Sequence, residues 1–186
     1  TYVVRGGPSH CCGVFQLGTG DVEGFERMAL RTIDKLAEAG GAETLSWCAS
    51  CQVHLGDMAL ETAAPGDAPK QIDLSPFVIF LAGKLDELKP LMTKQVEKRV
   101  GLHEHPGVGG ITEAARSLLE AIPGLEFVDL EQPRVGYMCN KINVLPDYKR
   151  DYHTEQLEAA EAAGVTEAYL PANTPGTVEH WLGNDY

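Results

Sequence analysis

Apolar residues recur at three- and four-residue steps along residues 22–39, and charged residues fill the positions between them. This spacing predicts an amphipathic helix, which Gly40-Gly41 ends. The short run Thr44-Leu45-Ser46-Trp47 is typical of a strand, and helical spacing resumes from Cys48 to Leu60. The segment Ala63 to Gln71 contains two prolines and a glycine, so we expect a loop there. Cys48 therefore stands where a predicted strand passes into a predicted helix.

The second half of the chain repeats this order of elements. A helical segment interrupted near Pro90 is predicted over residues 72–92, and a strand near residues 100–102. Further helices are predicted at residues 111–122, 147–163 and 178–182, and further strands at residues 125–130 and 167–170. We therefore expect an α/β fold of two similar small lobes related by a degenerate internal duplication, each a short sheet flanked by helices. The expected lobes are residues 1–96, which bind the cofactor, and residues 97–186.

Composition narrows the functional classes. The chain has 186 residues with 44% hydrophobic and 23% charged positions, as in ordinary globular proteins. Its net charge of −12 argues against a nucleic-acid partner, because such partners are held by basic residues. No apolar run reaches the roughly 18 residues of a membrane-spanning helix. The first residues lack the regions of a signal peptide, and the odd number of cysteines suits a reducing compartment, so we expect a cytoplasmic protein.

Four of the five cysteines form two compact motifs. His10-Cys11-Cys12-Gly13 contains an adjacent pair, and Cys48-Ala49-Ser50-Cys51 follows after 35 intervening residues. Two cysteines three positions apart at a helix start can face one metal, whereas adjacent cysteines rarely chelate one tetrahedral ion. Adjacent cysteines can reach different irons of one cluster, so the pattern favours iron–sulfur over zinc. Zinc, buried thiols or a disulfide, and a thioredoxin-like dithiol at Cys48 and Cys51 remain alternatives.

The arrangement Cys-Cys-Gly, about 35 residues, then Cys-x-x-Cys resembles the cysteine-rich CCG domain found in the cluster-binding catalytic subunit of heterodisulfide reductase and in glycolate oxidase iron–sulfur subunits. Four of the five family cysteine positions are matched, by Cys11, Cys12, Cys48 and Cys51. The fifth position would lie before Thr1. The resemblance implies that these cysteines hold a [4Fe–4S] cluster, which is noncubane in that reductase subunit, and leaves the cluster type here open.

The second half resembles a second copy of the domain that has lost its ligands. Gly107 stands where a cysteine is expected, and Met138-Cys139-Asn140 retains one cysteine of the adjacent pair. Ala172-Asn173-Thr174-Pro175 stands at the Cys-x-x-Cys position with neither cysteine. One thiolate cannot hold a cluster of this kind, so we expect one cluster in the chain and a structural or docking role for the second lobe.

The resemblance implies an oxidoreductase: an iron–sulfur redox subunit that acts within a heterodisulfide-reductase-like complex. It would exchange electrons with a thiol/disulfide or persulfide substrate and receive or deliver them through the other subunits. His10 is the candidate catalytic residue, because a histidine beside the ligands can donate a proton or a hydrogen bond to sulfur. Two alternatives remain: a metal-stabilised interaction or electron-relay subunit without its own substrate, and a thioredoxin-like dithiol protein.

Overall fold

The computed structural model describes residues 2–38, 43–48, 51–55, 72–102, 109–132, 146–169 and 176–177. The chain divides into two compact units, Thr1–Phe77 and Val78–Tyr186. The expected boundary at residues 96/97 therefore falls inside the second unit. Local contacts explain why the division comes earlier, because the Val96 amide donates to the Pro123 carbonyl over 2.8 Å and the Ile79 side chain lies beside Gly110.

The first unit is organised around one long helix. Its elements are α1 (Val14–Gly18), α2 (Val22–Glu38), β1 (Thr44–Ser46), α3 (residues 51–55) and β2 (Leu74–Pro76). The Asp21 carboxylate accepts the Gly24 amide over 2.9 Å and so caps the start of α2. Residues Phe25, Ala29 and Ile33 are four positions apart and form the buried stripe of this helix. The predicted amphipathic helix is confirmed through Glu38.

The sheet of the first unit is a parallel pair, in which Thr44 lies opposite Leu74 and Ser46 opposite Pro76. The helix predicted across residues 72–92 is therefore wrong at its beginning. Pro76 has no amide hydrogen to donate, and this is tolerated because it ends a strand at the edge of a two-stranded sheet. Short helices follow as α4 (Phe77–Ala82) and α5 (Leu85–Leu88), with a 3-10 turn at Lys89–Leu91. The apolar run that suggested one helix is thus divided among a strand and two helices.

The second unit contains the larger sheet. Its further elements are β3 (Lys98–Leu102), α6 (Ile111–Glu120), β4 (Leu125–Val128), α7 (Pro146–Ala162), β5 (Glu167–Tyr169) and β6 (Gly176–Thr177). The strand order is β4-β3-β5-β6, with three parallel strands and an antiparallel β6. Gly164, with φ of +66°, ends α7 as predicted, because the Val165 amide reaches back to the Ala160 carbonyl over 2.9 Å.

The α/β fold class is confirmed for the described residues, since each unit combines a short sheet with helices. The internal duplication stays a prediction. Its motif residues in the second half lie outside the described ranges: Gly107, Cys139 and residues 172–175. Within the described ranges, no helix has the length and apolar character needed to cross a membrane.

Candidate functional site

The Cys-Cys-Gly turn is fixed to α2 by backbone carbonyl groups. The Thr32 hydroxyl donates to the Cys11 carbonyl over 2.8 Å, and the Thr32 residue is only 1% exposed. Further along the helix, the Lys35 ammonium donates to the Ser9 carbonyl over 3.1 Å. A buried carbonyl left without a donor would destabilise the fold, so Thr32 provides a bond that water cannot replace. The turn therefore has a fixed position on the helix.

Gly13 permits the close approach of this turn to α2. Its φ is +80°, a left-handed conformation that side chains disfavour. A Cβ atom at this position would lie 3.0 Å from the Phe25 carbonyl oxygen and 3.1 Å from the Phe25 Cα. The Gly13 amide donates to the Cys11 sulfur over 3.4 Å. Both the conformation and the space therefore require glycine after the two cysteines.

Cys12 is a core residue, 1% exposed, and belongs to a buried cluster of apolar side chains. Its neighbours in that cluster are Phe25, Ala29, Ile33 and Leu55. Cys51, which is half-buried, packs against the same cluster from α3. The two sequence segments that carry the cysteines are thus joined by one hydrophobic core.

Cys48 stands at the exposed beginning of α3. The Gln52 amide donates to the Cys48 carbonyl over 3.2 Å, which is the hydrogen bond of a helical turn. The Cys48 amide donates to the Ser46 hydroxyl over 3.2 Å, and the Gln52 side-chain amide donates to the Ser46 carbonyl over 2.9 Å. These bonds fix the strand-to-helix junction that the sequence predicted. Cys51 follows within the first turn of the helix.

The thiols of Cys12, Cys48 and Cys51 lie in contact, although the segments are remote in sequence. The Cys51 side chain hydrogen-bonds to Cys12 and to Cys48. None of the four described cysteines is in a disulfide. The hydrogen bond from Cys51 lowers the pKa of Cys12 to about 7 against the opposing effect of burial. The same contacts raise the pKa of Cys51, first through Cys12, then through Cys48, and then through burial.

The donor set suits a soft metal centre, because thiolates are the ligands of iron–sulfur clusters. Cys48, Cys51 and Cys12 form a row from the surface to the core, and Cys11 adjoins Cys12 in the chain. Within the described ranges, no group of three or more His, Cys, Asp or Glu side chains is arranged around a common metal position. The residue chemistry therefore fits a cluster. The ligand assignment of Cys11, Cys12, Cys48 and Cys51 stays a prediction.

His10 is half-buried and precedes the cysteine pair. Its Nδ1 atom lies 3.1 Å from the Gly6 carbonyl oxygen and 2.9 Å from the Ser9 hydroxyl. Because a carbonyl only accepts hydrogen bonds, this geometry assigns the proton to Nδ1 and makes Nε2 the proton-accepting atom of the neutral ring. The predicted catalytic role of His10 is not tested by these contacts.

Sequence reasoning missed several residues that build the site. Thr32 interrupts the apolar stripe of α2, and this polar residue on a buried face was the available signal. Ser46 precedes the helix start by two positions, which is a common place for a residue that bonds the first turn. Trp47 is 79% exposed and lies over the Phe77 ring with centroids 4.0 Å apart. His54, a weaker candidate ligand, packs its ring edge-on against Phe25.

Comparison with known proteins agrees with this position of the site. Residues 2–56 match the family model of the cysteine-rich domain called CCG. The chain is also 25% identical over 150 residues to a subunit of the dihydromethanophenazine:CoB–CoM heterodisulfide reductase of Methanosarcina barkeri. That alignment covers 74% of this chain and 34% of the relative, so the chain spans about a third of the relative's length. No solved structure matches the chain significantly. The part similar to the CCG domain contains all four cysteines of the site, Cys11, Cys12, Cys48 and Cys51.

Proposed function

We propose that this chain is an iron–sulfur redox subunit of the heterodisulfide reductase type. Cys11, Cys12, Cys48 and Cys51 would hold one [4Fe–4S] cluster and exchange electrons with a thiol/disulfide or persulfide substrate. The observation that carries the proposal is the contact among the thiols of Cys12, Cys48 and Cys51, which come from segments 35 residues apart. The similarity of residues 2–56 to the CCG domain supports the same assignment.

The two halves of the site would have different tasks. Cys12 is embedded in apolar side chains, so this side excludes water from the sulfur atoms. Cys48 is exposed, so a substrate sulfur or an electron-transfer partner can approach from this side. A bound cluster would supply single electrons. Reduction of a disulfide consumes two electrons and two protons and releases two thiols, so the site also needs a proton donor.

His10 is our proposed proton donor. It adjoins Cys11, is half-buried, and is held by the Gly6 carbonyl through Nδ1, which leaves Nε2 to gain and release the proton. Replacement by Asn keeps a polar side chain but removes the basic ring nitrogen. The His10→Asn variant should retain its iron and sulfide while disulfide reduction by the assembled complex becomes slower. Loss of iron together with activity would instead assign His10 a structural role.

The chain would act within a complex. The similar protein from Methanosarcina barkeri is described as a subunit, and this chain corresponds to about a third of it. We propose that partner subunits in the cytoplasm deliver or receive the electrons, since one cluster alone cannot store the two that a disulfide requires. A relay subunit without its own substrate would bind the same cluster, and it would leave disulfide turnover unchanged when His10 is replaced.

Metal and sulfide analysis of the anaerobically purified chain tests the proposal. We expect iron and acid-labile sulfide in similar amounts and a paramagnetic cluster signal after reduction. Cys12→Ser and Cys48→Ser should each abolish most of the iron. Cys139→Ser is the matched control outside the site and should retain it. One zinc per chain, or a colourless metal-free protein, would contradict the proposal.

A further inference from the structure

The three contacting cysteines differ in depth in a regular order. Cys48 is exposed, Cys51 is half-buried, and Cys12 is 1% exposed. Cys51 lies between the other two, because its side chain hydrogen-bonds to both. A sulfur path therefore leads from the surface into the hydrophobic core.

Both ends of this path are held by the fold. The turn before Cys12 is anchored by the bond from Thr32 to Cys11, and Gly13 fits directly against α2. Cys48 is anchored by its amide bond to Ser46 and by the Gln52 bond that starts α3. Because neither end can withdraw easily, each thiol is held within reach of its neighbour, and such proximity accelerates reaction between them.

We propose that the cluster-free chain is a dithiol–disulfide exchange site for low-molecular-weight disulfides, in which oxidation enters at Cys48 and ends as a buried Cys12–Cys51 disulfide. This activity belongs to the chain without its cluster and does not depend on the proposed function. It differs from a thioredoxin-like reaction, which would end with a disulfide between Cys48 and Cys51.

The reaction consists of three balanced exchanges. The Cys48 thiolate attacks a small disulfide, forms a mixed disulfide and releases one small thiol. The Cys51 thiolate then attacks the Cys48 sulfur and releases the second small thiol. Finally, the Cys12 thiolate attacks Cys51, breaks the bond to Cys48 and restores the Cys48 thiol. In sum, two electrons pass from Cys12 and Cys51 to the small disulfide, and their two protons are taken up by the two released thiols.

Two physical effects favour the buried product. A disulfide between Cys12 and Cys51 closes a much longer loop than one between Cys48 and Cys51, and longer loops constrain the unfolded chain more strongly. The disulfide is also uncharged and apolar, which suits the neighbours of Cys12: Phe25, Ala29, Ile33 and Leu55. Oxidation would withhold two thiols from an incoming cluster, and reduction would return them.

Tryptic peptide mapping distinguishes the possible products directly. The full-length chain is freed of metal by chelation and treated with oxidised glutathione. Remaining thiols are alkylated before digestion. Cleavage after Arg5, Arg27, Lys35 and Lys70 places Cys11 and Cys12 on one peptide and Cys48 and Cys51 on another. We expect these two peptides to be joined by a disulfide. A disulfide confined to the peptide of residues 36–70, or stable glutathione adducts without a protein disulfide, would overturn the proposal.

Matched variants assign the two sulfur atoms. Cys11→Ser should still give the joined peptides, whereas Cys12→Ser should not. Cys48→Ser should give the same final disulfide at least about tenfold more slowly, because the accessible thiol has been lost. An unchanged rate in Cys48→Ser, or joined peptides in Cys12→Ser, would contradict the path. The wild-type map needs no variant to fold, and in concentrated urea the preference for joined peptides should disappear. A chain that never binds iron would defeat the proposed function while leaving this experiment readable.

Discussion

The two cysteine segments are built by different forces. The Cys-Cys-Gly turn is set by packing, with Cys12 in the core, Gly13 against Phe25, and a buried Thr32 hydroxyl on the Cys11 carbonyl. The Cys-x-x-Cys segment is set by hydrogen bonds at a helix start, and Cys48 is exposed there. Because water can replace lost bonds only at the second segment, substitutions in the turn should cost stability and substitutions near Cys48 should not.

The largest effect is expected from Gly13→Ala. The left-handed conformation and the contact with Phe25 should together lower the free energy of unfolding by about 3 kcal/mol. Gly20→Ala is the matched control, because Gly20 has a φ of +83° with open space around it. It should cost about 1 kcal/mol, from conformation alone. Anaerobic denaturant titration measures both, and equal losses would refute the close approach of the turn to α2.

A second test compares the same substitution at both ends of the sulfur path. In the cluster-free chain, Cys12→Ser places a hydroxyl in an apolar core and should cost about 2 kcal/mol. Cys48→Ser exchanges one exposed polar group for another and should cost less than about 0.5 kcal/mol. Denaturant titration of the reduced proteins decides between them. Similar costs for the two variants would mean that the segments do not differ in burial.

Hydroxyl groups provide a third comparison. Thr32→Val keeps the shape but leaves the Cys11 carbonyl without its donor, for an expected loss of about 1.5 kcal/mol. Ser46→Ala removes the group that accepts the Cys48 amide, but water can replace it, so the loss should be about 0.5 kcal/mol. Thermal unfolding of both variants tests this order. A larger loss in Ser46→Ala would reverse the assignment of packing to one segment and solvation to the other.

The smallest effect concerns protonation in the cluster-free chain. The pKa of Cys12 is about 7 because Cys51 donates a hydrogen bond to its sulfur. Ultraviolet thiolate absorbance should therefore reveal one ionisation near neutral pH. Cys51→Ala should raise the pKa of this step towards the ordinary thiol value of 9.0, and Cys12→Ser should abolish the step. An ionisation near neutral pH that persists in Cys12→Ser would assign the thiolate to another cysteine.

The lowered pKa also sets the sign of a stability effect. The folded chain releases the Cys12 proton at lower pH than the unfolded chain, so this group contributes most of its stabilisation above the unfolded value of 9.0. The contribution decreases as the pH falls towards about 7 and is absent below it. Cys51 opposes this trend at alkaline pH, because its own pKa is raised. Comparison of the wild type with Cys51→Ala across this range separates the two contributions.

Periodic spacing predicted α2, α6 and α7 well, because each has a repeating apolar face over several turns. The same reasoning failed at β2, since three residues carry too little pattern to compete with the apolar run that follows. The strand exists because Leu74–Pro76 pairs with β1, a tertiary contact that local sequence does not encode. The strand β6 was missed for the same reason.

The cysteine motifs were visible from the sequence because rare residues stood in a regular arrangement. Their order in depth was not visible, since it depends on which face of α3 meets the stripe of α2. The need for Gly13 was implied by the motif, but its physical cause is the approach to Phe25. Sequence alone therefore predicted the chemistry of the donors, and packing supplied the difference between the buried Cys12 and the exposed Cys48.

Iron K-edge X-ray absorption of the anaerobically reconstituted chain tests the central claim most directly. A cluster held by cysteines predicts a first shell of sulfur around iron and additional scattering from neighbouring iron atoms. In the Cys48→Ser variant, the iron content should fall sharply, and residual iron should show oxygen ligation. A wild-type first shell of oxygen or nitrogen, without neighbouring iron, would contradict the account.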